Sequence, residues 1–243
     1  MDLYKLFILQ LIAHILADFL FQTNEWSEDK KKNGFSSGKL YLHVLIVFAL
    51  SWTLSLQVNF FLFSIIISLI HLLIDGLKLR ISDLKFGKIK PLKKTIFFID
   101  QFIHLAVIFL AVVIFNKLLD INPCISVPVT NHHLVIILGY LICLKPSNVC
   151  IKEVFNLYNI KMDNKSDDDL LNAGKLIGNV ERLLTLTLLL IGQYEAIGFI
   201  IAGKSILRYE GQKTSKTEYV LVGTLLSFGI AIIIGIIIFK LPI

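Results

Sequence analysis

The sequence predicts an all-α membrane protein, a bundle of about seven transmembrane helices with almost no soluble domain. Hydrophobic residues make up 56% of the 243 residues and charged residues only 17%, whereas soluble domains carry roughly 25% charged residues. The charges also fall in short blocks between long apolar runs, which is the pattern of a chain that is surrounded mostly by lipid.

Seven apolar segments are visible, and most approach the length of about 20 residues that a spanning helix needs. We expect spans near 3–22, 41–57, 59–77, 96–118, 133–149, 182–202 and 218–239. Segment 133–149 is short and is interrupted by Lys145-Pro146, so the count falls to six if it does not span. Between the spans, we expect a basic cytoplasmic loop at 78–95 and a polar connector at 150–181.

The positions of lysine and arginine predict an N-terminus outside the cell, because cytoplasmic loops carry an excess of these residues. With seven spans, this orientation puts most of the 24 basic residues on the cytoplasmic side. The net charge of +6 is thus attributed to topology, and we expect membrane lipids rather than nucleic acid as partners. The abundance of Lys, Ile and Asn is typical of an AT-rich genome and favours a bacterial plasma (inner) membrane.

Three predicted spans each pair a histidine with an aspartate four residues away, a spacing that puts both side chains on one helix face. The pairs are His14–Asp18, His71–Asp75 and Asp100–His104. The order reverses in the third pair, where the chain crosses in the opposite direction. We therefore expect three aspartates at one level near the cytoplasmic face, three histidines a turn deeper, and His43 beside them.

Ionisable residues inside spans are costly and mark functional sites by default. Imidazole nitrogen and carboxylate oxygen together suit Zn²⁺, Mn²⁺ or Fe²⁺. The six paired residues are the predicted ligands, enough for one ion or two, with His43 as a further ligand or a general base. Such a site could activate water as a hydrolase does. Arg182 and the basic loop could then hold a phosphate-bearing lipid at the cytoplasmic leaflet.

Two other interpretations use the same residues. A transporter or channel for metal ions or protons would need a polar path toward the outer face, where spans one, three and four look almost wholly apolar. A structural or signalling protein would use the polar layer only to fix helix packing.

One nucleotide-binding pattern is rejected. Residues 198–205 match GxxxxGK[ST], but a P-loop follows a β-strand and opens a helix. Here the pattern ends a hydrophobic segment, so we expect no nucleotide there.

The motif residues resemble a known family over nearly the whole chain. They include His14-x-x-x-Asp18-Phe19-x-x-Gln22, His71-x-x-x-Asp75, Asp100-Gln101-x-x-His104, Glu181-Arg182, and Lys204-Ser205-x-x-Arg208. This pattern is similar to the bacterial membrane family called domain of unknown function 3307. The resemblance implies a polytopic bacterial membrane protein and brings no activity with it.

Overall fold

The computed structural model describes residues 2–83, 90–125, 128–160, 168–206 and 214–241. Within these ranges the regular elements are helices and no strand is present. The chain divides into two compact units, Met1–Leu138 and Gly139–Ile243. The central part of the predicted basic loop, residues 84–89, lies outside the described residues.

Four long helices of the first unit form a bundle in which α1, α3, α4 and α5 each contact two neighbours in that cyclic order. A short π-helix continues α1, and 3₁₀ turns at Gly34–Ser36 and Val58–Phe60 precede α3 and α4. The helices are α1 (Leu3–Ile15), the π-helix (Leu16–Phe21), α2 (Asn24–Asn33), α3 (Gly38–Ser55), α4 (Phe61–Asp83), α5 (Lys90–Leu118) and the first part of α6 (Asn131–Cys143).

Polar side chains fix where the first three helices begin. The Asp2 carboxylate accepts a hydrogen bond from the Lys5 N–H at 2.7 Å, and Thr23 Oγ1 accepts one from the α2 backbone. Ser37 Oγ does the same for Leu40 at the start of α3. Such N-caps satisfy backbone donors that have no partner within the helix.

The core of this bundle is aromatic at one end. Phe60 and Phe115 are fully buried, and their ring centroids lie 5.0 Å apart in an edge-to-face arrangement. The outward faces are apolar as well, since Leu69, Leu73 and Phe102 are more than half exposed. Helices that are apolar on every side are typical of membrane spans.

The second unit contains the rest of α6 and four further helices, α7 (Lys145–Tyr158), α8 (Asp168–Leu190), α9 (Tyr194–Ile206) and α10 (Thr214–Lys240). The α10 helix packs along α8, and α7 contacts both. The expected polar connector is therefore mostly helical, with residues 161–167 outside the described ranges. The GxxxxGKS residues up to Ser205 belong to α9.

The prediction of an all-α, multi-pass membrane protein is confirmed, with fewer candidate spans than expected. Five described helices are long and apolar enough to cross a membrane, and the α6–α7 pair, bent by 45°, would make a sixth. The segment 182–202 is wrong as a single helix. It is divided between α8 and α9 at Gly192, whose φ of +76° is a left-handed conformation that ends a helix.

Candidate metal centre

All seven predicted histidines and aspartates of the first unit lie together at one end of the four-helix bundle. Their side chains are buried or nearly so, and three overlapping His/Asp groups have the geometry to hold a metal ion. The contributing residues are His14, Asp18, His43, His71, Asp75, Asp100 and His104. Four helices therefore supply one cluster from positions far apart in the sequence.

The centre of the cluster is a set of four residues, His43, His71, Asp18 and Asp75, which we call the tetrad. The two Nε2 atoms of His43 and His71 lie 3.0 Å apart. Asp18 Oδ1 is 3.5 Å from each of them, and Asp75 Oδ2 is 3.9 Å from each. A tetrahedral site with metal–ligand bonds of about 2.0 Å has ligand–ligand edges of about 3.3 Å. The tetrad therefore already approximates a tetrahedral ligand shell.

His14, Asp100 and His104 surround the tetrad. The His104 ring lies 4.2 Å from that of His71, and it stacks on His14 with centroids 5.4 Å apart. Nδ1 of His104 donates to the Asp100 carbonyl oxygen at 2.8 Å, because a carbonyl can only accept. This hydrogen bond leaves the lone pair of His104 on Nε2, the arrangement in which metal-binding histidines are usually held.

Two buried atoms of this surrounding group have no hydrogen-bond partner in the described part of the chain, His104 Nε2 and Asp100 Oδ1. A buried polar atom left without a partner costs about 1–3 kcal/mol. A cation between them would satisfy both atoms, so the donor set fits a metal ion.

Two lysines that the sequence analysis did not assign to the site contact its aspartates. Lys30 Nζ lies 2.8 Å from Asp75 Oδ2 and donates to Gln22 Oε1 at 3.0 Å. Lys78 Nζ lies 2.7 Å from Asp100 Oδ2, which also accepts from Gln101 Nε2 at 3.1 Å. Asp100 is thus oriented through one oxygen while its other oxygen faces the cluster, as outer partners of metal ligands commonly do.

Asp18 lies in the π-helix rather than in the α-helix that its spacing from His14 predicts. The Gln22 N–H donates to the Ala17 carbonyl at 3.2 Å, one residue further back than in an α-helix. Asp18 Oδ1 nevertheless lies 3.7 Å from His14 Nδ1. Single π-turns inside α-helices occur frequently at functional sites, and this one carries a tetrad residue.

Lys30 reaches the cluster because the segment between the first two spans, residues 23–37, packs against the bundle. We call it the α2 segment. At its end the Phe35 ring covers Gly76, where a Cβ atom would lie only 2.0 Å from Phe35 Cζ. Only a glycine allows this approach one residue after Asp75. The Arg80 guanidinium lies 5.3 Å from the centroid of the same ring.

A cavity of about 20 Å³ adjoins His14, His71 and His104. Gln10 and Ser51 line it and bond to each other twice, at 2.9 and 2.7 Å. A cavity of this size holds roughly one water molecule. Larger molecules would therefore have to reach the cluster from another direction.

Arg182, predicted to act in catalysis, is buried in the second unit. Its guanidinium donates to the Cys143 carbonyl, Ser227 Oγ, and the side-chain oxygens of Asn148 and Asn179. These contacts fix its position within that unit. A role in substrate binding stays a prediction.

Comparison with known proteins gives one result. The family described as protein of unknown function (DUF3307) matches residues 6–135, a stretch that contains the whole His/Asp cluster and both lysines. No curated protein and no solved structure matches the chain. Since the match extends over more than half of the sequence, the chain belongs to the DUF3307 family of proteins of unknown function.

Proposed function

We propose that this protein is a membrane-embedded, metal-dependent hydrolase with one divalent ion held by the tetrad. The observation that carries the proposal is the spacing of the four ligand atoms, whose measured separations run from 3.0 to 3.9 Å. Tetrahedral coordination by imidazole and carboxylate favours Zn²⁺ over Mn²⁺ and Fe²⁺. A divalent ion there acidifies a bound water and so supplies a nucleophile.

The charges around the cluster favour one ion rather than two. Three aspartates and two lysines leave one negative charge when the histidines are neutral. One divalent ion changes this to one positive charge, while two ions would leave three. A buried excess of that size is costly in a low dielectric.

The competing function is transport of a metal ion or a proton through the same residues. The contact that favours it is the hydrogen bond of 3.2 Å from Ser51 to Ser64, which extends the polar contacts beyond the cavity. Against it, the next buried residue toward the start of α4 is Phe60, which belongs to the aromatic core. A hydrolase with access from the lysine side agrees better with this arrangement.

The substrate side is assigned by the same reasoning. With the N-terminus outside, the aspartates and lysines lie at the cytoplasmic leaflet of the bacterial plasma membrane. A lipid or another phosphate-bearing molecule would there meet both the ion and the lysines.

The first test is the metal content of purified full-length protein, measured by elemental mass spectrometry. We expect about one transition-metal ion per chain in the wild type, in agreement with the single tetrahedral site. His71→Ala and Asp18→Ala should lose it, because each removes a tetrad ligand. The matched control is His132→Ala, which removes an exposed histidine and should keep the ion.

Wild-type protein that is purified without chelators and takes up no added Zn²⁺, Mn²⁺ or Fe²⁺ would exclude the metal site. If the ion is present, release of products from phospholipid micelles separates the two functions. Hydrolysis that stops on metal removal supports the enzyme, whereas movement of the ion into proteoliposomes without hydrolysis supports the transporter.

A further inference from the structure

We propose that Lys30 and Lys78 form an anion-binding pair that receives the phosphodiester of the substrate once the metal ion is bound. This inference rests on the proposed function and names the chemical class of its substrate. The phosphodiester could belong to a lipid headgroup or to a soluble molecule, and the experiment below distinguishes these sources.

The two lysines depend on the same carboxylates that the ion would use. Lys30 is 4% exposed, and a buried ammonium group requires an anionic or strongly polar partner. Its Nζ lies 2.8 Å from Asp75 Oδ2, the oxygen that completes the tetrad. Lys78 likewise bonds to Oδ2 of Asp100 at 2.7 Å.

Metal binding weakens both ion pairs. An ion coordinated by Asp75 Oδ2 would share one oxygen atom with the Lys30 ammonium group, and two cations that close repel each other strongly at low dielectric. Lys78 is affected less directly, because Oδ1 of Asp100 rather than Oδ2 faces the cluster. Each ammonium group is then stabilised by an additional anion.

The charge count specifies which anion fits. Three carboxylates, two ammonium groups and one divalent ion leave a single positive charge. A phosphodiester carries one negative charge and neutralises the site, whereas a phosphomonoester carries nearly two at neutral pH. We therefore assign a phosphodiester monoanion rather than a monoester.

Access agrees with this assignment. The Lys78 side chain is 35% exposed, so the edge of the cluster near Asp100 is open. On the histidine side, the cavity of about 20 Å³ holds a water but no substrate. A phosphodiester would thus arrive at the lysines before it reaches the ion.

The experiment is a Zn²⁺ titration of the full-length protein in maltoside micelles by isothermal calorimetry. It is run without an added anion, with dimethyl phosphate, with dioctanoyl phosphatidylglycerol, and with acetate as a monoanion of different shape. We expect the phosphodiesters to tighten Zn²⁺ binding about tenfold, a usual strength for coupled sites. By reciprocity, Zn²⁺ should tighten phosphodiester binding by the same factor.

Lys30→Gln provides a result that a purely structural lysine would not give. Without an anion it should bind Zn²⁺ more tightly than the wild type, because no ammonium group competes for Asp75. It should also lose most of the phosphodiester effect. Lys31→Gln removes an exposed lysine from the next position of α2 and should behave as the wild type. If Lys30→Gln does not fold, Lys78→Gln is measured in its place.

The outcomes separate the two proposals. A wild type that binds no Zn²⁺ refutes the proposed function. Zn²⁺ binding that is the same with and without phosphodiester refutes only the anion pair, and an equal effect of acetate refutes the phosphodiester assignment. An effect of both phosphodiesters supports the pair with either source, while an effect of phosphatidylglycerol alone supports the pair with a lipid headgroup.

Discussion

Gly76→Ala tests whether the α2 segment is held against the bundle in the way described. The added Cβ would lie 2.0 Å from Phe35 Cζ and 2.4 Å from Cε1. Carbon atoms in contact sit about 3.5–4.0 Å apart, so the ring must retreat by roughly 1.5 Å or more. Because Phe35 ends the segment that carries Lys30, this movement loosens the contact between Lys30 and Asp75.

The expected cost is about 1–3 kcal/mol, the usual range for an extra methyl group in a packed contact. The lower half of this range is favoured because Phe35 is 36% exposed and can swing outward. For a chain of this length, each kcal/mol lowers the Tm by about 2–4 °C. Thermal unfolding in detergent, followed by circular dichroism, measures the change.

A double mutant decides whether the stated contact is the cause. In a Phe35→Ala background the ring is absent, so Gly76→Ala should cost nothing further, and the coupling should equal the cost of the single change. The control is Gly229→Ala in the middle of α10, where a Cβ meets nothing within 4 Å and no loss of stability is expected. Equal costs of Gly76→Ala with and without the Phe35 ring would refute the packing described here.

Three further changes test other parts of the first unit. Phe60→Ala should lower the unfolding free energy by about 3–5 kcal/mol in chemical denaturation, because the fully buried ring leaves a cavity. Gln101→Leu should weaken Zn²⁺ binding by about 10–100-fold in calorimetry, because it removes the donor that orients Asp100. Asp2→Ala should lose about 1 kcal/mol of helix capping. Partial burial opposes the Asp2 charge, but hydrogen bonds from Lys5 and Asn131 together hold its pKa below the ordinary value of 3.8. That charge therefore stabilises the fold above about pH 4, and the contribution is lost as the pH falls through the lowered pKa. The Tm difference between Asp2→Ala and wild type should accordingly shrink in acid.

The cluster itself was accessible to sequence reasoning because its signal is periodic. Three His/Asp pairs at a spacing of four occur in apolar spans, and the reversed order in the third pair predicts that they meet at one level. The structure brings them together with His43, which has only its position near a span start to indicate it. Whether they bind metal stays a prediction that the tests above address.

The lysines were missed for different reasons. Lys78 follows His71 and Asp75 at positions i+4 and i+7 of one helix face, so the helical period could have included it. Lys30 belongs to a run of charges that looks like an ordinary solvated loop. Its burial depends on how the α2 segment packs against the bundle, which no local pattern specifies.

The number of spans was overestimated because hydropathy does not detect a break inside an apolar run. Residues 182–202 are apolar throughout, yet the chain turns at Gly192 with φ +76°. A glycine followed by glutamine was the available signal. The bend between α6 and α7 was easier to anticipate, since Lys145-Pro146 interrupts the run at that point.

The π-helix at the end of the first span has a consequence for how relatives of this chain should be aligned. A π-turn contains one residue more than an α-turn, so shortening this turn by one residue restores an α-helix without moving the residues before it. The residues after it would then rotate by about 100° around the helix axis. A relative with an α-helical turn here would therefore present its aspartate to the cluster from a neighbouring position, and a gap placed within residues 16–21 would align the two sites correctly.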